Sequence, residues 1–276
     1  MTARQHGWQL EGTAADLYER LLVPTVTQKW AQDLIQRVGL GPGDRVLDVA
    51  CGTGVVARLA AVEVGERGRV AAVDVNHGML AVASSVPPPA GATIEWHEAS
   101  ADALPFDDRE FDVVLCQLGL QFFPDSSAAL REMRRVLVAA GRCGTSVFAA
   151  IERNPAARAL ADAVDRRFGA HASHAKRSEH ALADQVELRA LFEAAGFTGI
   201  RLVAVRRTIV FASVTDWVEI QFAATPLAAL VADRDPAERG RLLGVVCTDV
   251  RDALVAFESE GAFAFPQEVN VVLADA

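Results

Sequence analysis

An apolar run that ends in a glycine turn constrains the fold of this chain more than any other feature of its sequence. Residues Val46 to Val49 have the composition of a buried strand, and Gly52 and Gly54 follow directly. Asp74 ends a second apolar run, twenty residues after Gly54. In a βαβ unit, a glycine turn lets the backbone approach a ligand, and an acid at this distance accepts hydrogen bonds from a ribose. The pattern therefore predicts a cofactor with a nucleoside part.

Asp48, four residues before Gly52, bears on which cofactor binds. Residues 52–57 satisfy the glycine pattern of a dinucleotide site, in which the turn holds a pyrophosphate. A carboxylate beside those phosphates would cost on the order of several kcal/mol in a half-buried site, because like charges repel. A cofactor with a positive charge at the turn would instead be stabilised by Asp48. An NAD-dependent oxidoreductase is kept as the alternative interpretation.

Four segments, each near the end of an apolar run, resemble the motifs of one enzyme family. They are residues 48–54 (DVACGTG), 74–80, 100–106 and 111–117. Together they resemble a class I S-adenosylmethionine-dependent methyltransferase of the small-molecule group (methyltransferase type 11, or ubiquinone/menaquinone type). The resemblance is close over residues 10–150 and looser over the rest. It implies S-adenosyl-L-methionine as cofactor, whose ammonium and sulfonium groups suit a carboxylate at position 48.

The resemblance also implies an architecture. We expect an α/β fold with a Rossmann-like, doubly wound, mostly parallel sheet of seven strands, helices on both faces, an antiparallel edge strand and a helical lid insertion. The alternation of predicted strands and helices agrees, since strands separated by helices form parallel sheets. Residues 1–40 are predicted as an N-terminal helical cap and 41–150 as the cofactor-binding core. Residues 151–276 would complete the edge strands and carry the substrate-binding insertion, all within one compact unit.

Apolar periodicity and turn residues predict the individual elements. Helices are predicted over 13–22, 24–38, 54–64, 76–83, 125–138, 154–168 and 184–195. Strands are predicted over 45–49, 69–74, 92–97, 111–116, 142–149, 199–211 and 262–274. Residues 214–258 have a helical pattern with a break near 233–236.

Carried over position by position, the resemblance implies which residues form the site. In this interpretation Asp74 holds the ribose, Met79 packs on adenine, and Gln117 lies beside the methionine part. The full set predicted to bind the cofactor is Tyr18, Asp48, Ala50, Gly52, Gly54, Asp74, Val75, Met79, Ala101, Asp102, Ala103 and Gln117. The set predicted to bind the substrate is Trp8, Gln121, Phe122, Phe148 and Phe222.

The sequence does not single out a catalytic residue. Alignment of the acceptor with the donor methyl group supplies much of the rate by itself, so a general base is not always needed. His180, His174, Glu219 and Tyr18 are the candidates. Histidine is the usual base near neutral pH, but a solvated helix or loop is the favoured interpretation of the histidine-rich stretch 171–180. No metal site is predicted, because these histidines lack a matched pair of acids.

Charge and composition narrow the partners. The net charge of −9 disfavours a nucleic-acid substrate, which needs a basic face. The four cysteines show no paired spacing, so free thiols in the cytoplasm are expected. No apolar run is long enough to span a membrane, and the first residues lack a signal-peptide pattern. We expect a small-molecule methyl acceptor as partner, and a monomer or homodimer.

The expected activity is transfer of a methyl group to an oxygen or carbon of a small, largely apolar metabolite, as in secondary metabolism or on quinone-like molecules. Besides the NAD enzyme, two further alternatives to a methyltransferase stay open, and both keep the methyltransferase fold. One is a non-catalytic subunit that binds the cofactor without turnover. The other uses the charged sulfur for a reaction other than methylation, such as a ring closure.

Overall fold

A computed structural model describes residues 13–259 and 261–276, so Trp8 lies outside the described part. Its centre is one sheet with the strand order β3-β2-β1-β4-β5-β8-β6, to which a two-residue strand, β7, is added beside β8. The strands are β1 (Arg45–Val49), β2 (Arg69–Asp74), β3 (Ile94–Glu98), β4 (Phe111–Gln117), β5 (Leu137–Phe148), β6 (Thr198–Phe211), β7 (Glu258–Ser259) and β8 (Ala262–Asp275). This is the predicted α/β architecture.

The first five strands are parallel, and the strand order reverses between β1 and β4. Alternate residues of β1 pack into different apolar clusters, Val46 on one face and Leu47 on the other. Both faces of the central strands are therefore covered, which explains why these strands are almost wholly apolar. In open sheets of this kind, ligands bind outside the carboxyl ends of the strands at the point of reversal.

The helices are α1 (Thr13–Leu17), α2 (Gln28–Val38), α3 (Val55–Val64), α4 (His77–Ser85), α5 (Ser126–Arg135), α6 (Pro155–Phe168), α7 (His174–Ser178), α8 (Gln185–Ala194), α9 (Val214–Ala224) and α10 (Pro236–Leu254). A π-helical segment, Tyr18–Thr27, joins α1 to α2 without a break. The prediction of two separate helices over 13–38 was therefore wrong. Pro24 lies inside the π segment, and the wider turn accommodates a residue that has no N–H to donate.

Strand β8 lies between β5 and β6 and is antiparallel to both. The edge strand β6 is thus antiparallel to its neighbour, as expected. Strand β5 begins at Leu137, earlier than the predicted residue 142. Leu137 pairs with Phe111, and the Phe111 N–H donates to the Val136 carbonyl at 2.9 Å. This pairing ends α5 before the predicted helix end at 138.

Two groups of helices depart from the alternation of single strands and single helices. Helices α6, α7 and α8 connect β5 to β6, and α9 and α10 connect β6 to β8. The predicted break near 233–236 exists, but the helical stretch is also interrupted at Thr225 and Pro226. There the Thr225 hydroxyl accepts a hydrogen bond from the Leu227 N–H at 3.3 Å, and Pro226 cannot donate to the preceding turn.

Candidate active site

The carboxyl ends of β1, β2 and β4 open into one cavity, which the N-terminal helical run and α9 close from the other side. Ten of the twelve residues predicted to bind a cofactor line it: Tyr18, Asp48, Ala50, Gly52, Asp74, Val75, Met79, Ala101, Asp102 and Gln117. Gly54 and Ala103 do not. The Ala103 N–H donates to the Ser100 carbonyl at 3.1 Å in a turn, and the residue is exposed to solvent.

The two glycines of the turn have different surroundings. Gly52 has φ +55°, and nothing lies within 4 Å of the place where a Cβ would be. Gly54 has φ +86°, and a Cβ there would collide with the indole of Trp96, whose Cζ3 atom would be at 2.8 Å. Gly52 therefore leaves space on the cavity side, whereas Gly54 leaves space for a neighbouring side chain.

Asp48, at the end of β1, is 1 % exposed. Its Oδ2 accepts a hydrogen bond from the Ala57 N–H at 3.0 Å, whereas Oδ1 has no hydrogen-bond partner in residues 13–259 or 261–276. Burial, together with the negative charge of the nearby Asp74, raises the pKa of Asp48 to about 8, although the Ala57 N–H and Arg58 oppose the shift. Burying a carboxyl group with only one of its oxygens hydrogen-bonded destabilises the folded protein, and a cationic ligand beside it would reduce that destabilisation.

Asp74, at the end of β2, is tied into the turn. One oxygen accepts from the Gly52 N–H and the other from the Asn76 N–H, both at 2.8 Å. Burial raises its pKa, while these two N–H groups counteract the shift. The carboxylate is thereby fixed at the cavity wall with lone pairs left for a ligand.

Further polar atoms face the cavity without a protein partner. In the described part of the chain, no hydrogen bond is made by the Thr53 hydroxyl, Nδ2 of Asn76 or Oε1 of Gln117. All three residues line the cavity. Buried polar atoms in folded proteins are nearly always paired, so this concentration indicates a polar ligand at the ends of β1, β2 and β4. The sequence reasoning had identified only Gln117 among these three.

The N-terminal helical run is held against the sheet by polar contacts. Arg58 of α3 donates to Glu19 and to the Thr53 carbonyl, both at 2.5 Å. Gln117 donates to the Thr27 carbonyl at 3.0 Å. Tyr18 belongs to the same run, and burial raises its pKa to about 12, although a hydrogen bond with the Thr27 side chain opposes the shift. Tyr18 is therefore a neutral phenol at physiological pH.

A buried polar cluster of Lys176, Glu179 and Gln221 also lines the cavity. Nζ of Lys176 lies 2.8 Å from Oε1 of Glu179 and 2.8 Å from Oε1 of Gln221. These three side chains are at most 8 % exposed and all line the cavity. An ammonium group can only donate, so the Gln221 amide must direct its oxygen at Lys176. Sequence reasoning missed this cluster, because 45 residues separate Gln221 from Lys176 and no local spacing links them.

The residues predicted to bind substrate or to catalyse divide into two groups. Phe122, Phe148, His180 and Tyr18 line the cavity. Gln121, Phe222, His174 and Glu219 do not.

Each residue of the second group has a physical reason for its position. Gln121 turns inward and donates to the Leu118 carbonyl at 2.8 Å. Phe222 is fully buried beside Phe168, with ring centroids 5.9 Å apart. His174 and Glu219 lie on the exposed faces of α7 and α9.

Two further observations describe the chemistry of the chain. Within the described residues, no three His, Cys, Asp or Glu side chains are placed to hold a metal ion, and the helices there include none that could cross a membrane. All four cysteines are free and buried.

Comparison with a model of the ubiE/COQ5 methyltransferase family gives a match over residues 13–214. This span contains β1 to β6, the glycine turn and most of the cavity. It ends at the start of α9, so Gln221 falls outside it.

Curated relatives include the ubiquinone/menaquinone biosynthesis C-methyltransferase UbiE of Xanthomonas campestris. It is 38 % identical over 138 residues, which are 49 % of this chain and 54 % of the relative. The chain thus spans about half the length of the curated relatives it matches.

Solved structures reproduce the fold over nearly the whole chain. The [4+2]-cyclase SpnF has a TM-score of 0.55 and 18 % identity, with 98 % of each chain covered. A phosphoethanolamine N-methyltransferase 2 of Haemonchus contortus in complex with S-adenosyl-L-methionine has a TM-score of 0.57 and 15 % identity, covering 95 % of this chain and 56 % of that one. At these identities the likeness concerns the fold alone.

Proposed function

Because the chain belongs to the ubiE/COQ5 methyltransferase family, we propose that it transfers a methyl group from S-adenosyl-L-methionine to a small, largely apolar metabolite. The observation that carries this proposal is Asp48. Its buried, unpartnered Oδ1 lies next to the glycine turn. A cation bound there would favour the ionised form of this carboxyl, and the ionised form would repel a phosphate. A dinucleotide would instead place its negatively charged pyrophosphate at this turn, where an ionised Asp48 is unfavourable.

The residues present fit the cofactor. Asp74 would accept hydrogen bonds from the ribose hydroxyls, and Met79, which is 6 % exposed on the cavity wall, would pack on the adenine. The unpartnered groups of Thr53, Asn76 and Gln117 would satisfy polar atoms of the ligand. When bound, the cofactor supplies an electrophilic methyl group and its leaving sulfur.

The remainder of the cavity suits an apolar acceptor. Phe148, Trp217 and Phe265 contribute aromatic surface to the wall, and the buried Lys176–Glu179 pair is neutral as a unit. The protein would hold the acceptor close to the methyl carbon and exclude water, which lowers the barrier by orientation. The free, buried thiols also fit the reducing cytoplasm that we propose as its location.

The test is calorimetry followed by a transfer assay. We expect S-adenosyl-L-methionine and S-adenosylhomocysteine to bind and NAD not to bind. Methyl-labelled cofactor should then transfer its label to a member of a panel of hydroxylated and quinone-like aromatics. Absence of binding by both sulfur compounds at millimolar concentration would refute the proposal. Binding without label transfer would instead favour a non-methylating use of the same fold.

A further inference from the structure

His180 lies just beyond α7 and is 9 % exposed. It lines the cavity, and its ring centroid lies 5.4 Å from that of Phe148. Its Nε2 atom is buried and makes no hydrogen bond to the described residues. A buried polar atom that reaches a ligand cavity unpartnered requires an explanation, because leaving it unpaired costs stability.

The contact on the other ring nitrogen fixes the tautomer. Nδ1 of His180 lies 2.6 Å from the backbone oxygen of Ala149. A carbonyl oxygen can only accept, so Nδ1 must carry the proton. In the neutral ring, Nε2 then holds a lone pair and acts as an acceptor.

Burial has a larger effect on the pKa of the His180 ring than the charged groups around it. Glu179 and Glu152 favour the protonated ring and Lys176 opposes it, but burial dominates and lowers the pKa of His180. Lys176 is itself held by Glu179 and Gln221. The imidazole is therefore neutral at physiological pH, and the lone pair of its Nε2 atom is not used by a described residue.

We propose that His180 is the general base of this enzyme and that its Nε2 removes the proton of a hydroxyl group on the methyl acceptor. The inference rests on the proposed function and deepens it. As the acceptor oxygen bonds to the methyl carbon, the carbon–sulfur electron pair stays on sulfur and the hydroxyl proton moves to Nε2. The products are a methyl ether, the neutral thioether and an imidazolium ion, so charge is conserved.

The chemistry of imidazole narrows the acceptor class. Proton transfer is most effective when the pKa values of donor and base are not far apart, which favours a phenol or an enol over an aliphatic alcohol. The aromatic wall formed by Phe148, Trp217 and Phe265 suits such a planar molecule.

The test compares His180→Asn with His174→Asn. An asparagine at 180 keeps an N–H in the place of Nδ1 for the Ala149 carbonyl but has no basic nitrogen. His174 is exposed on the neighbouring helix and lies outside the cavity, so its variant is the matched control. Both variants should bind S-adenosylhomocysteine with the wild-type dissociation constant.

Two acceptor probes separate a base from a structural residue. An unsubstituted naphthol is un-ionised at the assay pH, and an electron-poor nitrophenol is already an anion. We expect His180→Asn to lower kcat/KM roughly 100-fold or more for the naphthol and only slightly for the nitrophenol. The fall in wild-type rate at acidic pH should also disappear in this variant. Equal loss on both probes, or no loss on either, would overturn the proposal.

Failure of the base assignment can be told from failure of the proposed function. If neither sulfur compound binds the wild type, the function itself fails. If the cofactor binds but naphthylamines accept the methyl group and naphthols do not, or if no probe accepts it, the base assignment falls. Should His180→Asn not fold, nitrogen-15 NMR of histidine-labelled wild type decides: a proton on Nδ1 and none on Nε2 supports the assignment, and the reverse tautomer overturns it.

Discussion

One carboxylate oxygen of Asp74 lies 2.8 Å from the backbone nitrogen of Gly52. The acid at the end of β2 and the turn after β1 are therefore one hydrogen-bonded unit, although 22 residues separate them in sequence. A substitution at Asp74 removes a ligand contact and a support of the turn together.

Replacing Asp74 with alanine should weaken the binding of S-adenosylhomocysteine by roughly 1–3 kcal/mol, because acceptors for the ribose hydroxyls are lost. Calorimetry gives the dissociation constant. Glu98→Ala is the matched control, since Glu98 is the residue paired with Asp74 on β3 and is exposed. Equal affinities of wild type and Asp74→Ala would contradict the role of Asp74 in holding the ribose.

Asp48→Asn should make the ligand-free protein more stable at alkaline pH. Asp48 keeps a proton up to a pKa of about 8, against an ordinary value of 3.8. Between these values the folded state binds a proton that the unfolded chain has released, so its contribution to stability is full below pH 3.8 and is lost as pH rises to about 8. Asparagine has no charge to bury, and its oxygen can still accept from Ala57.

Thermal unfolding of both proteins across pH measures this effect. A difference of ~1 kcal/mol corresponds to a shift in Tm of roughly 2–4 °C for a chain of this size. The advantage of Asp48→Asn should grow as pH rises from 3.8 to about 8, stay constant above that range and vanish in acid. Saturating S-adenosyl-L-methionine should reverse the order, since only the carboxylate attracts the cation. If the Tm values of the two proteins differ by the same amount at all pH values, burial of the Asp48 carboxyl does not destabilise the ligand-free protein at high pH.

The local part of the site could be predicted from sequence. Asp48 is the second-last residue of β1, Gly52 follows the end of β1 by three residues, and Asp74 is the last residue of β2. Parallel strands bring these ends to a single edge. The family model and the sheet topology confirm the family and the fold class.

The part built by helices could not be predicted in this way. Helix α9 is apolar on several sides, so its sequence does not reveal that Gln221 faces the cavity and Phe222 the core. Likewise the pattern gives no reason to prefer His180 over His174. Tertiary packing determines which of these side chains face the cavity. It also explains why position 54 is glycine, because the ring of Trp96 packs against it.

The two glycines of the turn should respond differently to alanine. Gly52→Ala places a methyl group in open space, at a positive φ that costs roughly 1–2 kcal/mol. Gly54→Ala has the same backbone cost and must also displace Trp96, which adds about 1–3 kcal/mol.

Chemical denaturation and calorimetry on both variants test this pair. Gly54→Ala should lose more stability, whereas Gly52→Ala should lose more affinity for S-adenosylhomocysteine relative to its change in stability. Each variant serves as the control for the other. If Gly52→Ala binds as tightly as the wild type, the space beside Gly52 does not receive the cofactor.

Breaking the buried ion pair from one side should be more harmful than removing both partners. Lys176→Met leaves Glu179 without its cationic partner in a site where it is 6 % exposed, and we expect a loss of roughly 3–5 kcal/mol in the free energy of unfolding. The double variant Lys176→Met/Glu179→Leu leaves no buried charge and should recover most of that loss. Urea denaturation of the wild type, both single variants and the double variant gives the coupling energy. Additive losses would mean that water entering the cavity already screens the pair, and the cluster would then not be the dry, neutral wall that an apolar acceptor requires.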